Sequence, residues 1–200
     1  MKLFTRFRNA ILVLGLVMVT FGQISAQNVR YSDSWSHQGF NLVDSKSNHI
    51  RVDFSVEQFS MVPIEVKGNS MVSLEMPCVF LPGDEGAPNL PGQGRFIAIP
   101  SGATPVLRIV NSRVEVIQNV EVAPAPRIPL ESEDSPLEYT KNSAIYSANE
   151  FYPADPVKLS EVSSVRGVDF VTLGITPFQY NPVTKELRVI RDLEVAIDLV

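Results

Sequence analysis

Alternation with a period of two residues constrains this chain more than any other feature. Ile50, Val52, Phe54 and Val56 are interleaved with Arg51, Asp53, Ser55 and Glu57, the pattern of a strand with one buried and one wet face. Short runs of β-type character follow at 61–66, 71–76, 95–99, 106–110 and 114–122, then at 165–175, 178–180, 187–190 and 193–200. Turn chemistry separates them, as in Lys67-Gly68-Asn69-Ser70, Pro100-Ser101-Gly102 and Asn181-Pro182-Val183-Thr184-Lys185. No window carries a long apolar stripe at helical spacing. Many short strands with Gly and Pro punctuation predict an all-β fold, a single β-sandwich-like domain over residues 49–200.

Two segments precede that domain. Residues 27–48 are polar with scattered aromatics and no sustained period, which predicts a flexible N-terminal arm. Residues 1–26 read as a cleavable signal peptide. Lys2, Arg6 and Arg8 form a positive start, and the apolar run 10–21 is too short to span a bilayer comfortably. Ile24-Ser25-Ala26 then offers a small residue for cleavage, placing the cut between Ala26 and Gln27. No Cys stands at that point to take a lipid. The expected localisation is therefore secreted or cell surface, by way of the periplasm.

Export changes the electrostatics. The leader holds three bases and no acid, so its removal takes the chain's net charge from −5 to −8. A domain this acidic is repelled by phosphate backbones and anionic headgroups, which argues against nucleic acid and membrane surfaces as partners. The single Cys78 excludes an internal disulfide. Its apolar neighbours Met76, Pro77, Val79, Phe80 and Leu81 suit a buried, inert thiol. Removing the leader leaves 174 of the 200 residues, enough for one respectable core.

A search for chemistry returns little. His37 and His49 stand in no metal-ligand spacing, and Cys78 has no CxxC partner. There is no GxSxG, no Walker loop and no GxGxxG after a strand. Residues 125–142 break the strand pattern with prolines and with acids at Glu131, Glu133, Asp134 and Glu138. Proline removes ladder donors and charge resists burial, so this stretch is expected as an exposed, extended loop. Its acids lack the spacing and loop glycine of a calcium site. The expectation is no catalytic residue, no metal and no cofactor.

The order of segments is more telling than any of them alone. Gly86-Ala87-Pro88-Asn89-Leu90-Pro91 is followed by a strand ending in Ile99-Pro100, then a strand pair leading to Val122-Ala123-Pro124. After the variable loop come Phe151-Tyr152-Pro153, Val165-Arg166-Gly167 and the string from Phe178 through Asn181-Pro182-Val183-Thr184-Lys185 to Val189. In that order, over roughly residues 85–200, the chain resembles the N-terminal propeptide of gingipain-type cysteine peptidases, the Arg- and Lys-gingipain family. The resemblance implies a β-rich zymogen propeptide that keeps a downstream cysteine-type endopeptidase latent and assists its folding until proteolysis removes it. It also implies a cognate peptidase domain as partner, and export machinery of the type IX secretion route. The alternating run of residues 193–199 reaches the last residue but one, which predicts a longer precursor continuing into a peptidase domain. The competing reading is a free-standing extracytoplasmic β-module for adhesion or protein binding.

In the family a propeptide loop presents a basic side chain to the acidic specificity pocket of the peptidase. The equivalent loop here is 125–142, and Arg127 is its only base before Lys141. A guanidinium pairs bidentately with a carboxylate, and flanking prolines hold the backbone in a poor geometry for cleavage. Arg127 is thus the inhibitory-loop candidate, with a plain surface charge as the other reading. The family's base lies several residues further from the Ala-Pro, where this chain has Glu131-Ser132-Glu133.

Overall fold

The computed structural model describes residues 26–77, 79 and 83–200. The readings of residues 1–25 as a leader and of Cys78 as a buried thiol lie outside the described residues. Among the described residues, twelve strands and one short helix make up the domain. The strands are β1 (Gln27–Arg30), β2 (Gly39–Ser45), β3 (His49–Ser55), β4 (Gln58–Val66), β5 (Asn69–Glu75), β6 (Gln93–Ile99) and β7 (Pro105–Ile117). Helix α1 (Ser143–Tyr146) follows, then β8 (Val157–Leu159), β9 (Ser163–Val165), β10 (Val168–Ile175), β11 (Phe178–Asn181) and β12 (Glu186–Leu199).

They form three antiparallel sheets. The largest has the order β11-β12-β3-β2, with β7 lying along the other edge of β12. A second runs β6-β10-β8 with β9 also on β10, and a third runs β1-β4-β5. The central strand β12 pairs with β7 from Leu187↔Ile117 to Leu199↔Pro105, with β11 over its first residues and with β3 from Asp192↔Ser55 to Asp198↔His49. Its inner face packs with residues of all three sheets to form the core: Leu187, Leu193 and Ile197 of β12, Phe54 of β3, Phe178 of β11, Phe59 of β4 and Leu173 of β10 are fully buried. Phe59 and Phe178 meet edge to face at 5.2 Å, an arrangement that adds to the area they remove from water.

Alternation reads correctly over most of β3, where Ile50, Val52 and Phe54 are buried and Arg51 is exposed, but Ser55, on the wet side of that reading, is fully buried. Elsewhere the register intervenes. The two runs read at 187–190 and 193–200 are one strand, β12, broken in pattern by a register shift between Ile190 and Asp192. An extra residue in a ladder flips the faces beyond it, so a continuous strand looks like two. The runs 106–110 and 114–122 likewise become the single strand β7, which stops at Ile117.

Pro63 sits inside β4, opposite Val72. The Val72 N–H donates to Glu121 O (2.8 Å) and its carbonyl accepts from Ala123 N (2.9 Å). Val72 therefore turns both groups away from β4, and the missing N–H of Pro63 leaves no gap in the ladder.

The expectation of a flexible arm over 27–48 is corrected. That segment contains β1, paired with β4 from Gln27↔Met61, and β2, paired with β3. Charge, not apolar period, fastens the stretch between them. The fully buried Asp192 carboxylate accepts from Trp35 N (2.8 Å), Ser55 Oγ (2.7 Å) and Arg113 Nε (2.7 Å). Asp33 bridges Arg113 (2.9 Å) and Arg191, and the Arg191 hydrogen bond holds its carboxyl below the usual carboxylate range. A period-two reading is blind to such an anchor.

Candidate functional site

The 125–142 loop leaves the body of the domain between two clamped feet. On the entry side Asn89 N donates to Ala123 O (2.9 Å), Ala125 N to Ala87 O (2.7 Å) and Gly86 N to Ala125 O (3.0 Å). On the exit side Asn142 N donates to Gly86 O (2.8 Å), and the Asn142 side chain then caps α1 by accepting from Ala144 N (3.0 Å). One residue, Gly86, thus holds both feet. Its φ is +79°, and a Cβ there would stand 2.8 Å from Thr140 O. Only glycine satisfies that backbone and that space. The Gly86-Ala87-Pro88-Asn89 string, a Gly/Pro bend as sequence, is the bracket of the loop.

Charge supports the exit foot. Glu121 accepts from Lys185 (2.9 Å) and Lys141 (3.2 Å), and these bonds, Lys185 first, hold its carboxyl below the usual range. Tyr146 donates its hydroxyl to Val122 O (2.9 Å).

Beyond the feet the loop doubles back as a finger. Arg127 N donates to Glu138 O (2.8 Å), and Glu133 N donates to Leu130 O (2.8 Å), closing a turn over Leu130-Glu131-Ser132-Glu133. Proline at 126, 129 and 136 restricts the backbone on both sides. The apolar side chains of the finger face water: Ile128, Leu130 and Leu137 are 55%, 66% and 50% exposed. The Arg127 guanidinium reaches across to Glu133, 3.1 and 3.3 Å from its two oxygens. Arg127 therefore stands on the stem of the finger, and Glu131 and Ser132 at its tip.

The other singled-out residues are dispersed. His49, on β3, has its Nε2 3.1 Å from Asp44, and His37, in the connection before β2, has its Nδ1 3.9 Å from Glu57. Among the described residues no three His, Cys, Asp or Glu side chains are grouped to hold a metal. Ala26, at the expected cleavage point, is exposed, and Gln27 begins β1. The motif Phe151-Tyr152-Pro153 is structural: Tyr152 and Tyr180 exchange backbone hydrogen bonds (2.9 and 2.8 Å), and Arg188 stacks 3.6 Å over Phe151. Burial and the bond to Asp84 push the Tyr152 hydroxyl up to about 12, so it remains a donor. In the string 181–185, Asn181 Oδ1 accepts from Val183 N (3.0 Å) and Thr184 N (3.2 Å), which builds the β11–β12 turn.

The family model Propeptide_C25 matches residues 36–199. The chain belongs to this propeptide family. Among curated proteins it is similar to Lys-gingipain HG66 of Porphyromonas gingivalis, 24% identical over 95% of this chain and 11% of that protein. Gingipain R1 of the same organism is 28% identical over 78% of this chain and 16% of its own length. The chain thus spans a small part of the curated relatives it matches. Among solved structures it superposes on the complex of Porphyromonas gingivalis RgpB pro- and mature domains with TM-score 0.75, at 22% identity, covering 80% of this chain and 85% of that one. The structure that describes zymogenic latency of gingipain K, from the same organism, gives TM-score 0.72 at 23% identity, over 88% of this chain and 99% of that one. The gingipain-propeptide resemblance carried by the motifs is the family these matches show, and the β-rich fold is shared. A propeptide of this family is not itself the catalytic unit.

Proposed function

We propose that this domain is the latency-conferring propeptide of a secreted gingipain-type cysteine endopeptidase, encoded downstream in the same precursor. The observation that carries the reading is the match of one propeptide family along 36–199 together with a clamped, outward-facing finger in the same fold. The finger is the element that enters the partner, with Arg127 as its basic contact. A signal peptide of residues 1–26 is cut between Ala26 and Gln27, and the precursor then passes through the periplasm and the type IX machinery to the outside or the cell surface. The β-domain also gives the peptidase a folded surface to form against. The test is direct: purified residues 27–200, added at equimolar concentration, suppress the activity of the separately produced downstream peptidase. Undiminished activity at saturating concentration contradicts latency.

A further inference from the structure

The finger's only base is already spoken for in the free domain. Arg127 Nη2 lies within 3.3 Å of both oxygens of Glu133, and the two side chains are 48% and 36% exposed. The pair is not a chance meeting of long side chains. The turn between Leu130 and Glu133 carries Glu133 back along the stem, and the bond from Arg127 N to Glu138 O fixes the facing strand. Pro126 and Pro129 restrict the backbone around Arg127, so presenting the guanidinium elsewhere requires the side chain to leave Glu133. We infer that Glu133 cages Arg127, so that capture of this arginine by any acidic pocket competes with the finger's own ion pair. Glu133 is then a positioning residue that sets how strongly the finger engages its partner. The identity of that partner rests on the latency reading above; the cage does not.

Trypsin is a suitable probe, because its acidic pocket takes basic side chains and the bond after Arg127 leads to Ile128, not to proline. Initial rates of cleavage after Arg127 are measured by mass spectrometry on residues 27–200 carrying Glu133→Gln, with Glu131→Gln as a control of equal charge change at the tip. Glu133→Gln speeds this cut about two- to fivefold, the scale of an exposed ion pair, and Glu131→Gln leaves it at the wild-type rate. Raising the ionic strength shrinks the difference, since salt screens exposed charges. Equal rates in wild type and Glu133→Gln, or equal acceleration in both variants, overturn the cage. A second arm measures inhibition of the downstream peptidase. Glu133→Gln tightens the inhibition constant by a similar factor and changes nothing in an Arg127→Ala background; tightening in that background also overturns the proposal. A wild-type domain that fails to inhibit defeats the latency reading alone, because the trypsin arm still decides the cage. Thermal melts of each variant at the wild-type Tm show that folding is not the variable.

Discussion

Gly86 shows how much a single residue can settle in this fold. Its positive φ and the 2.8 Å approach of Thr140 O to a would-be Cβ leave no room for a side chain. Gly86→Ala is expected to destabilise the domain by about 1–3 kcal/mol, read by urea denaturation, and to speed proteolysis in 128–137. An unchanged midpoint and cleavage rate would show that the feet are held by other bonds. Asp192 is the second such residue. Its carboxylate is fully buried and answered by Arg113, Ser55 and Trp35. Asp192→Ala leaves those donors facing a void, and a loss of about 3 kcal/mol follows; a loss under about 1 kcal/mol would mean that water replaces the carboxylate. Neither role was legible in the sequence. A glycine in a Gly/Pro bend and an aspartate in an alternating strand look ordinary, because their constraints come from residues far along the chain. Arg127 was legible as the loop's only base before Lys141, but its tie to Glu133 depends on a turn that the sequence does not fix.

Among the elements, the strands with one clean face were readable and those set by charge or register were not. β3 and the β11–β12 turn follow from alternation and from Asn-Pro chemistry. β1 and β2 do not, because β1 is four residues long and mostly exposed and β2 carries a register shift between Leu42 and Asp44. Hydrogen exchange distinguishes the two descriptions of 27–48. Amides of β2 that bond to β3 should be protected, while 128–137 should exchange fast; rapid exchange throughout 27–48 would restore the flexible arm. The exit foot of the finger also has a pH signature. Glu121 is held below the usual carboxylate range by Lys185 and Lys141, so its contribution is complete above the ordinary Glu value of about 4.3 and is lost as pH falls through the lowered value. Protease sensitivity of the finger should therefore rise on acidification within that window. Glu121→Gln should be more sensitive at neutral pH and show a flatter response to acid. An identical acid response in wild type and variant would assign the change to other carboxylates.

For the whole molecule, the position of the finger in the chain matters more than its sequence. It is inserted between β7 and α1, yet the strands before and after it are woven together: β6 pairs with β10, and β12 pairs with both β3 and β7. The core residues of both halves, Phe54 and Phe59 before the finger and Leu173, Phe178 and Leu193 after it, belong to one cluster. A cut in the finger breaks one peptide bond and removes no ladder and no buried apolar surface, so the burial that holds the halves together persists. A domain nicked within 128–137 is expected to elute as a single species of unchanged size and to separate into two fragments only in denaturant. It should also keep a single, cooperative melting transition, lowered by a few degrees because the nick frees chain entropy in the unfolded state. If a peptidase follows this domain, cleavage of the finger alone would then leave the propeptide folded and able to stay seated, and release would require further cuts in the domain or the link beyond it. Fragments that part in native buffer after one cut would show that the two halves are held chiefly by the intact finger, and the woven strands would then be too weak to carry the fold.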